Sequence, residues 1–330
     1  MNDNWLGQVI EPIVDPEREI VDPHHHLWRR PDWVYELDEL WSDTSAGHNV
    51  VQTIYMECRS SYFEEGPEHL RPVGETKYVQ EIAAASAADS SKATIAAIVA
   101  HADLRLPELD ETLDAHVEMA QGMFRGIRHA GSRDPNPEVL SIPGRGPEGL
   151  YEDPAFIRGV QRLGERKFTY DTWQYHHQLP ALTKLAAQCP DTTMVLDHFS
   201  TPLGVGRYAG EREAIYTQWQ KDVEQLSKQT NVCAKLGGMA MPDNGYGWDK
   251  QAQPPGSDEF VEKQSRYYHH MIDCFGVERC MFESNFPVDR LSLSYHVLWN
   301  GLKKIAQAYN EHEQTALFSG TARRVYSLQP

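Results

Sequence analysis

The sequence has little positive charge and no long apolar run, and each absence excludes a class of partner. Its 330 residues contain 31 Lys and Arg against 48 Asp and Glu, which gives a formal net charge of −17. A nucleic-acid-binding surface requires an excess of basic side chains, so we expect no nucleic-acid partner. A membrane span requires about 18 consecutive apolar residues, and because no such run occurs we expect no membrane partner.

Cysteine is also scarce. Five cysteines lie at scattered positions, and none forms a Cys-x-x-Cys pair. An odd, scattered set predicts reduced thiols in the core and not a disulfide scaffold. The first residues, MNDNWLGQVIEPIVDPERE, carry acidic side chains where a secretion signal requires a basic start and an apolar stretch. We therefore expect a globular, cytoplasmic protein that acts on small molecules.

Short strand-like segments, rich in β-branched and aromatic residues, alternate with helical segments along the chain. The eight segments are EIVDPHHH (19–26), VVQTIYMEC (50–58), TIAAIVAHAD (94–103), FRGIRHAG (124–131), KFTYDTWQYH (167–176), TTMVLDH (192–198), NVCAKLGG (231–238) and CMFESNFP (280–287). This alternation predicts an α/β protein with a single (β/α)8 barrel over residues 1–330. A doubly wound sheet is the alternative, but no G-x-G-x-x-G follows a strand.

Two long loops follow predicted strands, residues 27–49 after the first and residues 239–256 after the seventh. Both leave the carboxyl ends of strands, where a barrel keeps its active site. Their aromatic side chains, with one from the loop after the second strand, either line an apolar pocket or simply pack the loops onto the barrel. These residues are Trp28, Trp33, Tyr35, Tyr62, Tyr246 and Trp248.

Three consecutive histidines end the first predicted strand. Because successive strand residues point to opposite faces, His24 and His26 share one face and His25 points the other way. Two imidazoles on one face can bind a single divalent cation such as Zn²⁺ or Mn²⁺. A metal-ligand role for His24 and His26 is therefore our hypothesis, and hydrogen-bonded structural histidines are the alternative.

Further polar residues end other predicted strands, and all of these ends converge in a barrel. His176 ends the fifth strand and His198 the sixth, and we expect both in the site. His129 and His101 end the fourth and third strands, and we expect them to be structural. Arg128 also ends the fourth strand, where a guanidinium suits a carboxylate or enolate oxygen of a substrate.

The motifs DPHHHLW, YHHQLP, LDHFSTPLG, KLGG and MFESNFPVDR together resemble the amidohydrolase superfamily. The resemblance is to its "amidohydrolase 2" branch, which includes sugar-lactone hydrolases and pyrone-dicarboxylate lactonase, and it covers residues 18–328. It implies a distorted (β/α)8 barrel with a hydrolytic site that often holds one divalent metal, Zn²⁺ foremost and otherwise Mn²⁺. By resemblance, His24 and His26 match the family's first-strand pair, His176 the fifth-strand histidine and His198 the sixth-strand histidine.

The chain departs from the family pattern on the eighth strand. Lactonases of this branch resemble one another in a Ser-Asp-Phe/Trp-Pro turn, whereas this chain has Asn285 in place of the aspartate. An asparagine can ligate a metal through its carbonyl oxygen, but it cannot accept a proton. We therefore expect weaker metal binding, or none, and a proton acceptor elsewhere in the site.

Several carboxylates are candidates for that proton acceptor. Glu57, at the end of the second strand, is our first choice, followed by Glu283, which shares the face of Asn285, and then Asp289. A structural ion pair is the alternative for each. In a regular strand Asp197 points away from the face of His198, so we expect it to be structural.

The leading hypothesis is a hydrolase in which water attacks a lactone or a related carbonyl substrate. His24, His26 and His176 would hold a divalent ion, with Asn285 or Glu57 completing its ligand set. His198 would bind the substrate or orient the water, and Arg128 would position a polar substituent. Two alternatives are a metal-dependent decarboxylase of an aromatic or unsaturated acid and a barrel that has lost catalysis but binds a small molecule. We also expect that the chain can form a homo-oligomer.

Overall fold

The computed structural model describes residues 3–329. The strands are β1 (Glu19–His25), β2 (Trp28–Arg30), β3 (Trp33–Tyr35), β4 (Asn49–Met56), β5 (Thr94–Ala100), β6 (Phe124–Arg128), β7 (Thr169–Thr172), β8 (Met194–Leu196), β9 (Val232–Leu236) and β10 (Cys280–Phe282). The α-helices are α1 (Asp3–Leu6), α2 (Leu37–Thr44), α3 (Val73–Ser86), α4 (Leu109–Met119), α5 (Pro154–Glu165), α6 (Leu179–Gln188), α7 (Arg212–Leu226), α8 (Ser257–Phe275), α9 (Tyr295–Ala306), α10 (Glu311–Thr315) and α11 (Thr321–Val325). One π-helical turn, Ala316–Gly320, joins α10 to α11.

Eight strands form one parallel sheet in the order β1-β4-β5-β6-β7-β8-β9-β10. The two edges meet where His25 of β1 bridges Phe286, just beyond β10. The backbone N–H of His26 donates to the carbonyl of Phe286 at 2.8 Å, and that of Asn285 donates to the carbonyl of His24 at 3.0 Å. The sheet is thus a nearly closed barrel surrounded by helices, which confirms the predicted (β/α)8 fold.

The helices pack on the barrel through one apolar face each, as α5 illustrates. Asp153 caps α5 by accepting a hydrogen bond from the backbone N–H of Ala155 at 2.8 Å. The buried side chains Phe156, Val160 and Leu163 follow at helical spacing and join the main hydrophobic core. Local sequence therefore determines both the start of this helix and the face that it buries.

The segment 27–49, which was predicted as a loop, contains regular structure. Strands β2 and β3 form an antiparallel hairpin in which Trp28 pairs with Tyr35, and helix α2 follows. Pro31 and Asp32 connect the two short strands, and both residue types favour turns. The segment 239–256, by contrast, contains only short helical turns at Pro242–Asn244 and Trp248–Lys250.

Two features of the structure concern the expected absence of disulfides and of long apolar segments. All five cysteines are free thiols, but only Cys189, Cys233 and Cys280 are buried, whereas Cys58 and Cys274 are half-buried. Within the described residues, no helix combines the length and the apolar character that crossing a membrane requires.

Helix α5 lies so close to the chain at Leu104 that only glycine fits at position 159. A methyl group at Gly159 would overlap the carbonyl oxygen of Leu104, whereas one at Gly320 would lie 3.4 Å from the nearest atom, the carbonyl oxygen of Thr315. We expect Gly159→Ala to destabilise the protein by about 1–3 kcal/mol through overpacking. Gly320→Ala is the matched control and should be neutral or stabilising by up to about 1 kcal/mol. Thermal unfolding of the two variants checks this, and equal midpoints would contradict it.

Candidate active site

A cavity of about 550 Å³ opens at the carboxyl ends of the barrel strands. Its volume is in the usual range for a small-molecule site. Its wall is formed by His26, Trp28, Arg30, Trp33, Glu57, Cys58, Arg59, Arg128, Ala130, Ser132, Ser141, Ile142, Pro143, Arg145, Trp173, His198, Met241, Asn285, Val288 and Leu291. Of the catalytic residues predicted from the sequence, His198, Glu57, Asn285 and Arg128 line this cavity, and Glu283 does not.

The histidines of β1 alternate between two faces, as a regular strand requires. His24 and His26 turn their Nε2 atoms toward each other at 3.3 Å, whereas His25 contacts Thr53 on the opposite face. The Nδ1–H of His26 donates to the carbonyl of Met56 at 2.8 Å. Nδ1 of His24 lies 2.8 Å from Oε2 of Glu283 and 3.5 Å from Nζ of Lys235. When Nδ1 carries the proton in both rings, the Nε2 atoms carry the lone pairs, and that of His24 lies 3.3 Å from Nη1 of Arg128.

This pair of histidines has the geometry of two metal ligands. Two nitrogens bound tetrahedrally to zinc at about 2.05 Å lie about 3.3 Å apart, which is the spacing of the Nε2 atoms. Ligating histidines ordinarily donate their other ring N–H to a carboxylate or a backbone carbonyl. His26 makes such a bond to Met56, and Nδ1 of His24 lies 2.8 Å from the Glu283 carboxylate. Burial lowers the pKa of both histidines well below the usual value, so each is neutral and able to ligate.

Asp197 and His198, after β8, complete the polar cluster. One ligand atom from each of His24, Asp197 and His198 lies within 4.8 Å of the other two. The expectation that Asp197 points away was wrong, because it assumed a strand that continues through His198. β8 ends at Leu196, and residues 198–201 have positive φ, so the alternation of faces stops before Asp197.

The Asp197 carboxylate is fully buried, yet neither of its oxygens has a hydrogen-bond partner among the described residues. Two cations lie near it, Lys235 at 3.2 Å and Arg128 at 3.6 Å, and Nδ1 of the neutral His24 lies 3.7 Å away. Buried polar atoms without partners are rare and call for an explanation, such as an ion. The oxygens without hydrogen bonds leave Asp197 able to act as a metal ligand.

The buried charges in and beneath the cavity wall do not balance. The buried charge cluster comprises Glu57, Arg128, Asp171, Asp197, Lys235 and Glu283, all nearly or fully inaccessible to solvent. Four carboxylates face two cations, which leaves two negative charges when all six groups are ionised. One divalent cation would neutralise this surplus. Without such a cation, the two surplus negative charges would be costly to bury.

Glu57 and Arg128 form an ion pair in the cavity wall. Oε1 of Glu57 accepts a hydrogen bond from Nε of Arg128 at 2.9 Å, and Arg128 also donates to the backbone carbonyl of Glu57. Oε2 of Glu57 is buried and has no partner among the described residues. Nη1 of Arg128 lies 3.3 Å from Nε2 of His24, so the guanidinium extends to the histidine pair.

Glu283 lies beneath the histidines and outside the cavity wall. Its Oε1 accepts a hydrogen bond from Nδ1 of His198 at 2.7 Å, and its Oε2 lies against His24. Burial alone raises the pKa of Glu283, but His198 and His24 outweigh it and lower the pKa to about 2. The carboxylate therefore remains ionised and holds two histidines in place, and it has no access to a substrate.

Asn285 is held by Asp289. Its Nδ2 donates to Oδ1 of Asp289 at 2.9 Å, while Oδ2 of Asp289 accepts from the backbone N–H of Ala240 at 3.1 Å. This leaves the Asn285 carbonyl oxygen as the group that can act in the cavity. Asp289 is fully buried, does not line the cavity, and has its pKa raised to about 7 by that burial.

The structure places His176 apart from the other candidate ligands, so the expected ligand role for it is a misassignment. β7 ends at Thr172, and His176 begins a separate helical turn. Its Nδ1 accepts a hydrogen bond from the backbone N–H of Leu203 at 3.3 Å, and its ring packs edge-on against Tyr208. The strand is shorter than its sequence pattern indicated, and His176 belongs neither to the cavity wall nor to the group of His24, Asp197 and His198.

The other histidines at strand ends make structural contacts. Nδ1 of His129 accepts a hydrogen bond from the backbone N–H of Leu104 at 3.3 Å, and His101 bonds the carbonyl of Arg128 at 3.0 Å. Their rings pack edge-on at 5.2 Å. Neither residue lines the cavity.

Only two of the six predicted aromatic residues, Trp28 and Trp33, line the cavity. Tyr35 and Trp248 are buried in the main hydrophobic core, so both pack their segments onto the barrel. Trp173 was missed, although its position directly after β7 was a usable signal. Its indole lines the cavity and donates to Oγ1 of Thr201 at 2.9 Å.

Known proteins resemble this chain over nearly its whole length. The family model described as Amidohydrolase matches residues 21–328. An uncharacterised protein of Sinorhizobium fredii is 28% identical, over 94% of this chain and 98% of that one. An L-fucono-1,5-lactonase of Burkholderia multivorans is 25% identical, over 93% of this chain and 96% of that one. The crystal structure of a B. multivorans amidohydrolase with bound zinc is 25% identical, covers 94% of this chain and 99% of that one, and has a TM-score of 0.74.

The amide–carboxylate pair of Asn285 and Asp289 allows a test by charge exchange. We expect Asn285→Asp to place two carboxylates in buried contact and to destabilise the protein by about 3 kcal/mol. Adding Asp289→Asn should recover most of this loss, because an amide and a carboxylate then face each other in the reverse order. Thermal unfolding of the two single variants and the double variant checks this. If the double variant is no more stable than Asn285→Asp, the pair does not act as described.

Proposed function

This chain belongs to the amidohydrolase family, and we propose that it hydrolyses the ring ester of a small-molecule lactone in the cavity described above. The observation that carries this proposal is the Glu57 carboxylate. Glu57 lines the cavity beside Arg128 and the histidine cluster, and its buried Oε2 is unpartnered within the described residues. A proton acceptor and groups that stabilise an oxyanion thus share one site, which hydrolysis of a carbonyl compound requires.

In the proposed reaction a water molecule attacks the lactone carbonyl carbon while Oε2 of Glu57 accepts its proton. The Arg128 guanidinium, which already lies 3.3 Å from His24, stabilises the negative charge on the carbonyl oxygen. The bond between the carbonyl carbon and the ring oxygen then breaks. The leaving oxygen takes up the proton from Glu57, and the product is a hydroxy acid that ionises at neutral pH.

The residues present also fit a divalent metal. His24, Asp197 and His198 would hold it, with Nε2 of His26 alongside, and the zinc in the B. multivorans structure supports this assignment. When bound, such an ion polarises a carbonyl and lowers the pKa of a water molecule. The two surplus negative charges of the buried charge cluster favour a dication in spite of the missing eighth-strand aspartate.

Asn285 and Glu283 have supporting roles in this proposal. The carbonyl oxygen of Asn285 accepts a hydrogen bond from the attacking water or from a substrate hydroxyl and leaves the proton to Glu57. Glu283 is a positioning residue, since it orients His24 and His198 without contacting substrate.

Removal of the Glu57 carboxylate tests the proposal. We expect Glu57→Gln to lower kcat for lactone opening by about 10²–10⁴-fold, because the amide retains the contact with Arg128 but cannot accept a proton. Glu64→Gln, an exposed position in the following loop, is the matched control and should leave kcat unchanged. A panel of γ- and δ-lactones with a pH indicator detects the released proton.

Two outcomes would contradict lactone hydrolysis at this site. One is undiminished turnover by Glu57→Gln, and the other is the absence of turnover of every lactone by the unaltered protein. Release of carbon dioxide from carboxylated aromatic acids would instead favour the decarboxylase alternative.

Metal content tests the ligand assignment separately. We expect on the order of one Zn²⁺ or Mn²⁺ per chain in protein purified without added metal or chelator, measured by elemental mass spectrometry. His24→Gln and Asp197→Asn should lose most of the ion, whereas His176→Gln should retain it because His176 lies outside the cluster. Circular dichroism verifies that each variant is folded. Equal metal loss in His176→Gln and His24→Gln would refute this assignment.

A further inference from the structure

The charge of the cavity wall is opposite to that of the whole chain. The sequence carries 48 acidic against 31 basic residues. The charged side chains of the cavity wall, histidines aside, are Arg30, Arg59, Arg128, Arg145 and Glu57. Four guanidiniums and one carboxylate thus face a space of about 550 Å³ in a strongly acidic protein.

Three of these arginines have no counter-ion. Glu57 neutralises Arg128, but Arg30, Arg59 and Arg145 have no carboxylate within 4.0 Å in residues 3–329. Their side chains are exposed. They come from three different connections, after β1, β4 and β6, which converge only at the mouth of the barrel.

The protein contains enough acidic side chains to neutralise these arginines. Elsewhere on the surface, exposed or half-buried arginines pair with acids, for example Arg18 with Glu311 at 2.6 Å and Arg266 with Glu213 at 2.7 Å. The absence of such partners around the mouth leaves a local positive potential. A cleft with charges of one sign attracts ligands of the opposite sign, and a guanidinium is well suited to bind a carboxylate or sulfonate through two hydrogen bonds.

Much of the remaining wall is apolar and aromatic, and Ser132, Ser141 and Asn285 are its polar members. Trp28, Trp33 and Trp173 line the cavity with aliphatic neighbours such as Ile142 and Leu291. Arg30 lies over the Trp28 ring, 4.2 Å from its centroid, which holds this guanidinium at the rim. A ligand complementary to this wall has an apolar, flat body and an anionic group at the mouth.

We propose that the cavity selects a lactone that carries a carboxylate or sulfonate on an apolar ring system, and that Arg59 and Arg145 bind this anionic group. As a statement about the substrate, the proposal rests on the lactone hydrolysis proposed above. The anion-binding role of the arginines does not depend on turnover and is tested by itself.

Calorimetric binding of phthalate and of phthalamide to the full-length protein is that test. The two probes have the same aromatic body and differ in charge. We expect phthalate to bind at least about tenfold more tightly, and Arg59→Gln/Arg145→Gln to remove about tenfold of this affinity, as charge-assisted hydrogen bonds are lost. Arg158→Gln, an exposed arginine on α5 outside the cavity, is the matched control and should bind both probes unchanged.

Added salt should weaken the binding of phthalate and leave that of phthalamide unchanged, because only the charged probe is screened. Equal affinity for the two probes, no phthalate binding, or an unaltered affinity in the double variant would overturn the proposal. Since all three substituted arginines are exposed, loss of folding does not confuse the result.

Turnover separates this proposal from the proposed function. We expect 5-carboxyphthalide to be hydrolysed with a lower KM than phthalide, and the double arginine variant to remove this difference in KM. Hydrolysis of both lactones with the same KM would overturn the anionic selectivity and leave the proposed lactone hydrolysis intact. Phthalate binding that depends on Arg59 and Arg145, without hydrolysis of either lactone, supports the anion site and contradicts the lactone reaction.

Discussion

A buried ammonium holds the candidate site together. Nζ of Lys235 lies 2.9 Å from Asp171 and 3.2 Å from Asp197, and all three side chains are fully buried. Burial alone lowers the pKa of Lys235, but the two aspartates outweigh it and raise the pKa. An isolated charge at this depth would cost several kcal/mol, so β7, β8 and β9 are constrained to keep these groups together. The histidines rest on this arrangement, since Lys235 also lies 3.5 Å from His24.

The same arrangement assigns different roles to chemically equivalent carboxylates. Glu283 and Asp197 lie beneath the cavity, and Asp289 lies behind Asn285, so none of these three forms part of its wall. Glu57 directly follows β4 and is the acidic residue of the cavity wall, where it forms an ion pair with Arg128. Position within the barrel, and not residue type, makes Glu57 the candidate proton acceptor.

Sequence reasoning succeeded where local geometry is regular and failed where a strand ended early. The alternation of β1 correctly placed His24 and His26 on one face. The assumption of a regular strand through His198 misplaced Asp197, because β8 stops at Leu196. The assumption that the fifth strand ends at His176 misplaced that residue, because β7 stops at Thr172. Strand ends depend on hydrogen bonds to neighbouring strands, and a single segment does not specify them.

The sequence by itself determined the barrel, because the alternation of apolar strands and amphipathic helices is a local property. It also identified the histidine pair of β1 and the unusual Asn285. The tertiary structure alone decided which distant groups meet: Asp197 with His24, Glu57 with Arg128, and, around one mouth, three arginines that have no acidic partner in residues 3–329. These side chains belong to segments far apart in the chain. Which of them pair, and which have no partner, is therefore decided only when the barrel closes.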